Sequence, residues 1–311
     1  MAKNVIIILI DGGRVDRAEN SNIYQKLNLK FNFFPQSITY APYTNAAMHA
    51  VLSGTYGNRN GTYSYWHTYK FRKDKFKTLA KYLKENNYYT FADGHTELII
   101  PSDGFDEFHI HNEVDDNLVN LHEKFLDNMK SKNDEGKNFF LYLHYSQIHT
   151  GIMNQVLKKY DNFSDEYFQN RKLNEERYDK LFKESEIYLE KIINKIEALD
   201  FFNNSIILIL SDHGISVGEK VGERAYGAFC YDYTIKTFGY LYSKELPVKT
   251  ISNQIRHIDY MPTILELLEI NFDKSFDSFD GVSLIPLIMG TKNLENIAYS
   301  ETANPLDAKA P

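Results

Sequence analysis

Three short runs of apolar residues stand out along the chain, each unbroken and rich in β-branched or aromatic side chains: residues 5–10, 139–143 and 206–210. Continuous rather than alternating hydrophobicity over so short a stretch predicts strands buried on both faces. Between them the period changes to that of a helix. In 77–86 the apolar positions are Leu79, Ala80, Tyr82 and Leu83; in 181–201 they are Ile187, Leu189, Ile192, Ile193, Ile196 and Leu199. Residues 46–52 predict a helix capped by Thr44 or Asn45 and stopped by Gly54, and 262–270 a short one with Asp259 as its cap. Strands alternating with helices predict an α/β fold, a mostly parallel central sheet flanked by helices on both faces. No repeat and no Gly-, Pro- or Ser-rich linker interrupts the chain, so a single domain over 1–311 is expected. Residues 153–176 are polar with scattered aromatics, which reads as a surface insertion over the site or an irregular helical pair. The tail after Thr302 is expected to be loosely held.

Composition narrows the partners. Thirty-five Lys and Arg against 42 Asp and Glu leave a net charge of −7. That balance argues against nucleic acid as the main partner, since phosphate backbones are held by cationic excess, and against a polybasic membrane anchor. One cysteine, Cys230, excludes an intrachain disulfide framework and any cysteine-rich zinc site. It lies among aromatics and is expected to be a core thiol. No run approaches the ~20 apolar residues of a transmembrane helix. The first residues pass straight into the 5–10 strand without the longer core and cleavage site of a signal peptide. A soluble protein, cytoplasmic or cytoplasm-facing, is expected; a chain whose leader had been removed would read the same.

The first and third apolar runs each deliver a carboxylate at the C-terminal end: Asp11 in Asp11-Gly12-Gly13 and Asp212 in Ser211-Asp212-His213-Gly214. That edge of an open α/β sheet is where ligands bind. Either aspartate alone reads as the cap of a following helix. Both together, with His213 attached, form an oxygen and nitrogen donor set suited to Zn²⁺, Mn²⁺ or Mg²⁺. Thr44 opens the 46–52 helix, where free amide groups attract anions. Metal coordination can turn such a hydroxyl into a nucleophile, although this segment alone fits an ordinary cap. His109, His111 and His122 lie in a polar stretch and read as solvated. Glu219 and Glu223 follow His213 among glycines and either line the mouth of the site or form a loop.

These pieces together resemble the alkaline phosphatase/sulfatase superfamily. Asn4 to Asp11 is similar to its opening strand and first metal aspartate, Thr44 to Gly54 with Tyr56 to Gly61 to its nucleophile helix and the following turn, and Ile206 to Gly214 to its strand ending in Ser-Asp-His-Gly. Thr78 to Leu83, Gly104 to Asp106, His257 to Thr263 and Asp280 to Leu287 resemble further blocks in the family's order. The resemblance implies an alkaline phosphatase-like fold, with Asp11, Asp212 and His213 as metal ligands and Thr44 as nucleophile and further ligand. It also implies substrate contacts from Asn45, His149 and His95.

The departures sharpen the implied chemistry. Sulfatases carry a Cys or Ser that is oxidised to formylglycine, followed at set spacing by Pro and Arg; Thr44-Asn45-Ala46-Ala47-Met48 offers nothing to modify. Where they tend to carry a second Asp, Gly12 stands. The phosphatase and phosphodiesterase branch places an Asp four residues before its next His, and Tyr145 occupies that place before His149. One divalent cation is therefore expected; a second, at His144, His149 or His257, is unsupported by spacing. The function this implies is a metal-dependent hydrolase or transferase of phosphate esters acting through a phosphothreonine, on a small-molecule or a glycan- or lipid-linked substrate. The alternatives are a sulfatase-like sulfuric ester hydrolase without formylglycine and a non-catalytic binding protein on the same fold. The oligomeric state is not set by the sequence.

Overall fold

A computed structural model describes residues 3–155, 157–160 and 165–303. Eight strands form one sheet in the order β4-β3-β5-β1-β6-β7-β2-β8. They are β1 (Asn4–Ile10), β2 (Asn32–Ile38), β3 (Tyr89–Gly94), β4 (Glu107–Ile110), β5 (Phe139–Tyr145), β6 (Ser205–Leu210), β7 (Lys236–Tyr242) and β8 (Ile255–Arg256). From β4 to β6 every pairing is parallel; β7 runs antiparallel to both its neighbours. The α/β fold with a mostly parallel sheet is thus as the alternation of runs predicts.

The apolar runs at 5–10, 139–143 and 206–210 are the three central strands β1, β5 and β6, and each is buried along its whole length. Successive side chains of β1 enter opposite layers. Ile6, Ile8 and Ile10 pack with helices Leu118–Asp134 and Arg171–Ala198. Val5, Ile7 and Leu9 pack with helices Thr44–Ser53, Leu79–Glu85 and Tyr260–Leu267. Helices therefore cover both faces, and the core is two apolar layers divided by the sheet. No helix among the described residues is long and apolar enough to cross a membrane.

Several expectations need correction. β5 runs on to Tyr145, two residues past the apolar run 139–143, so His144 is a strand residue. The helix expected from residue 181 starts at Arg171 and ends at Ala198, and Ile187 faces outward, 50% exposed. Its polar first turns conceal buried anchors: Asn174 donates to the Tyr167 carbonyl at 2.8 Å, and Tyr178 is wholly buried. The described parts of 153–176 are mostly helical, in line with the irregular-helix alternative, within Gln147–Gln155, Leu157–Lys159, Glu166–Gln169 and the start of Arg171–Ala198. Neither Thr44 nor Asn45 caps its helix; Tyr43 holds the cap position and both lie in the first turn, while Gly54 ends the helix with φ +65° as expected. Asp259 stands at its cap position without capping. Its carboxylate accepts instead from the Arg256 amide and guanidinium and from the Val282 amide. Cys230 is half-buried rather than a core thiol, and burial raises it to about 11. The tail beyond Ala303 lies outside the described residues.

Ile8 sits in the middle of β1 between Leu143 and Ile209, with no exposed surface. Ile8→Ala leaves a cavity that neither neighbouring strand can close. Urea denaturation is expected to show a loss of roughly 2–5 kcal/mol.

Candidate active site

Four neighbouring parallel strands, β3, β5, β1 and β6, end at one edge, and each supplies chemistry there or one step beyond. Asp11 follows β1 and Asp212 follows β6; the two strands are in register to Leu9 opposite Leu210. His144 lies near the end of β5 opposite Leu9, and His95 follows Gly94 at the end of β3. The helix Thr44–Ser53 brings its first turn to the same point, and Gln147–Gln155 brings His149.

Asp11, Asp212 and His213 have no exposed surface, and Thr44 has 5%. The Thr44 hydroxyl donates to Asp11 Oδ2 at 3.3 Å and lies 3.4 Å from His213 Nε2. His213 Nε2 is 3.6 Å from Asp11 Oδ1 and 3.5 Å from Asp212 Oδ2. His213 Nδ1 is 2.9 Å from the Gly214 carbonyl, which can only accept, so Nδ1 carries the proton and Nε2 turns a lone pair toward the carboxylates. Gly12 turns at φ +74° and donates its amide to Asp212 Oδ1 at 3.1 Å. Tyr178 fixes this turn from below, donating to the Gly12 carbonyl at 2.9 Å and accepting from the Arg14 amide at 2.8 Å. Arg14 in turn holds the Ile215 carbonyl and Glu219. Glu219 is thus a brace between the loops after β1 and β6.

The donor set fits a divalent cation. Asp11 Oδ1 and Asp212 Oδ2 are buried with no hydrogen-bond partner among the described residues. Burial and then the charge of Asp11 push Asp212 up from the ordinary carboxylate value. Asp11 is held well below it; burial opposes this, but His149, His144 and His213 outweigh burial. Two buried carboxylates side by side call for positive charge between them, and with an imidazole they offer what Zn²⁺, Mn²⁺ or Mg²⁺ coordinates. Asp11, Asp212 and His213 each present a ligand atom within 4.8 Å of the others.

Of the remaining residues expected at the site, His149 places Nδ1 3.7 Å from Asp11 Oδ1. His95 reaches the site through His144, with 3.4 Å between their Nδ1 atoms, and His144 Nε2 is 2.9 Å from Asp11 Oδ2. Asn45 is buried beside Thr44, and its carbonyl is 2.7 Å from His49 Nδ1. His257 bonds Thr237 through Nε2 at 2.9 Å. Tyr226 escaped the sequence reading. Its ring lies 4.9 Å from that of His213 and 5.2 Å from that of His149, and its hydroxyl is 3.3 Å from His149 Nε2. Nothing in its local sequence separates it from its aromatic neighbours.

The histidines read as solvated are a second correction. His111 and His122 are wholly buried around Asp93, each 2.8 Å from Oδ2, and His109 reaches Oδ1 at 2.7 Å. The outer nitrogens meet Ser146 at 2.8 Å and Tyr188 at 2.7 Å. This network ties the ends of β3, β4 and β5 together beneath His95 and His144.

The family model for sulfatases matches residues 3–270. The chain belongs to the sulfatase family. Mouse (Mus musculus) arylsulfatase J is 22% identical over 259 residues, which is 79% of this chain and 42% of that protein, so the chain spans less than half of that relative. Among solved structures, the phosphonate monoester hydrolase of Silicibacter pomeroyi superposes with a TM-score of 0.72 at 16% identity, covering 95% of this chain and 78% of that one. The lipoteichoic acid synthase LtaP of Listeria monocytogenes gives 0.70 at 18% identity, covering 91% and 75%. These likenesses establish the alkaline phosphatase/sulfatase fold for a sulfatase-family chain that carries threonine at the head of the helix.

Glu223 lies on the loop after β6, buried, with Oε1 bonded to the Ala228 amide and Oε2 unpartnered among the described residues. Burial raises it to about 7. Between its ordinary value of 4.5 and about 7 the folded chain holds a proton that the unfolded chain releases, so stability falls as pH rises through that window. Glu223→Gln removes this dependence. The melting temperature of the variant relative to wild type is expected to climb from pH 4.5 to 7; parallel curves would mean that Glu223 is ionised throughout.

Proposed function

We propose that the chain is a metal-dependent phosphoric ester hydrolase or transferase with Thr44 as its nucleophile. The observation that carries the reading is the Thr44 hydroxyl itself, in the first turn of a helix, 3.3 Å from Asp11 Oδ2 and 3.4 Å from His213 Nε2. Oxidation of a threonine side chain gives a ketone and not the aldehyde of formylglycine, so the geminal diol that expels sulfate is not accessible here. A threonine ester of phosphate, in contrast, is open to a second in-line attack.

Asp11, Asp212, His213 and Thr44 would hold the cation, which when bound would supply charge to lower the hydroxyl's pKa and to offset the phosphoryl oxygens. Thr44 Oγ1 attacks phosphorus, and the bond to the leaving alcohol breaks. The amide groups of the helix's first turn, which lack intrahelical acceptors, bind the non-bridging oxygens. Asn45 contributes to the same anion pocket. His149 and His95, each with only a small part of its side chain exposed, contact the substrate's oxygens. Water or an acceptor alcohol then displaces Thr44 from phosphorus and restores the hydroxyl. The substrate is a small-molecule, glycan- or lipid-linked phosphate ester; LtaP, named as a lipoteichoic acid synthase, shares the fold.

The family match and the arylsulfatase relative favour a second reading, hydrolysis of sulfate esters without formylglycine. Purified chain supplied with Zn²⁺ or Mn²⁺ distinguishes the two. Aryl phosphate mono- or diesters are expected to turn over far faster than the aryl sulfate, and Thr44→Ala to lose on the order of 10³-fold or more. Mass spectrometry of acid-quenched enzyme is expected to find phosphate on Thr44. Sulfate-ester turnover with negligible phosphate-ester turnover, or full activity in Thr44→Ala, contradicts the proposal.

A further inference from the structure

Residues 299–302 lie in no helix or strand, so their polar groups take partners elsewhere. Most of those partners belong to two segments at the site. The Ser300 hydroxyl donates to the Thr39 carbonyl at 2.6 Å, and the Glu301 amide to the Tyr40 carbonyl at 2.9 Å. The Glu301 carboxylate accepts from the Tyr40 hydroxyl on one oxygen and from the Tyr299 hydroxyl, at 2.5 Å, on the other. The Thr302 hydroxyl donates to the Gly227 carbonyl at 2.5 Å. Thr39 and Tyr40 lead from β2 into the helix Thr44–Ser53. Gly227 follows Tyr226, whose ring lies against those of His213 and His149.

Both segments need a tie from outside. Tyr43, at the cap position of the Thr44 helix, makes no side-chain cap bond, so a cap does not fix the entry of the chain. Between Leu210 and Asp232 the chain has no helix or strand, only one bridge between Ser216 and Ala225. Tyr40 is buried with Tyr43, Ala46 and Ala50 in a small apolar cluster apart from the two main layers, and Tyr226 packs against that same cluster. The head of the helix and the Tyr226 loop thus share one support. A buried phenol needs a hydrogen-bond partner, and Glu301 supplies it for Tyr40. Burial, and then the Glu301 carboxylate, raise the Tyr40 phenol above its ordinary value, so it remains the donor.

We propose that Glu301 and Thr302 are positioning residues of the active site, a clasp that sets where the Thr44 hydroxyl stands and holds Tyr226 against His213 and His149. Neither touches the reacting atoms; Glu301 acts through Tyr40 and Thr302 through Gly227. The proposal rests on the reading of Thr44 as nucleophile. An error of about 1 Å in the placement of a reacting group costs on the order of 10²-fold in rate, so a clasp remote from the chemistry is felt there.

The chain supplied with Zn²⁺ is assayed well below its melting temperature on aryl phosphate and aryl sulfate esters, with amide hydrogen exchange and the melting temperature measured alongside. Glu301→Ala and Thr302→Val are each expected to lose on the order of 10- to 100-fold in kcat with KM little changed. Exchange is expected to quicken at 39–48 in the first and at 213–228 in the second. Glu301→Gln keeps an acceptor for Tyr40 and a donor for Tyr299, Thr302→Ser keeps the hydroxyl, and both are expected to restore wild-type kcat. Ile196→Val is the control: wholly buried, about 27 Å along the long helix from Tyr178, it is expected to lower the melting temperature and leave kcat unchanged. Thr302→Val, at a partly exposed position, answers the question if Glu301→Ala fails to fold. Variants that exchange like wild type at both segments, or that keep kcat while the melting temperature falls, overturn the clasp and leave the role of Thr44 standing. The same loss of kcat read on the aryl sulfate, in a chain whose wild type leaves the aryl phosphate untouched, supports the clasp and contradicts the phosphate reading.

Discussion

Asp11 and Asp212 stand at the ends of adjacent parallel strands with no exposed surface. Each ionised carboxylate taken out of water costs several kcal/mol, and two side by side also repel. Everything around them is arranged to supply opposing charge or hydrogen bonds. His144 meets Asp11 at 2.9 Å, the Gly12 amide meets Asp212 at 3.1 Å, and the first turn of helix Thr44–Ser53 comes up between them. What remains, Asp11 Oδ1 and Asp212 Oδ2, is a pair of buried oxygens with no hydrogen-bond partner among the described residues, which a cation could satisfy.

The rest of the molecule follows from keeping that edge rigid. β1 is paired on both sides over nearly its full length, which fixes Asp11 against β5 and β6. The loops beyond the strands are tied crosswise. Arg14 joins the first to Ile215 and Glu219 of the second, Tyr178 props Gly12 from the long helix, and Tyr167 donates to the Ser216 carbonyl at 2.6 Å. The histidine network around Asp93 does the same for β3, β4 and β5. A reactive site is effective when its groups are held before substrate arrives, and these ties reach the loops that carry Asp11, Asp212 and His213 and the strand ends that carry His95 and His144.

The central strands were legible because 5–10, 139–143 and 206–210 are continuous apolar runs; the convergence of Asp11, Asp212 and His213 was legible because motif and strand end coincide, and that of Thr44 because it opens a helix. His144 was weighed only as a metal candidate unsupported by spacing, because an imidazole at the end of an apolar run reads as the start of a turn, although the backbone continues as strand to Tyr145. The Asp93 cluster was misread because local polarity says nothing of what a distant helix covers; Tyr188 on Arg171–Ala198 and Ser146 beyond β5 bury His122 and His111. The start of the long helix was hidden by its charged first turns, where Tyr178 and Asn174 face inward among lysines and glutamates. β7 and β2 alternate less clearly, and their antiparallel pairing at the sheet's far side was not foreseen.

In the proposed function one cation joins Asp11, Asp212 and His213 to the Thr44 hydroxyl, and a phosphoryl group is transferred there. Crystals grown with Zn²⁺ or Mn²⁺ and soaked with vanadate test it directly, with anomalous scattering locating the metal. The prediction is a metal peak bounded by Asp11, Asp212, His213 and Thr44 Oγ1, with vanadium bonded to that Oγ1 and its equatorial oxygens on the first turn of helix Thr44–Ser53. Metal absent from that position, or vanadate seated with Thr44 Oγ1 out of bonding reach, contradicts it.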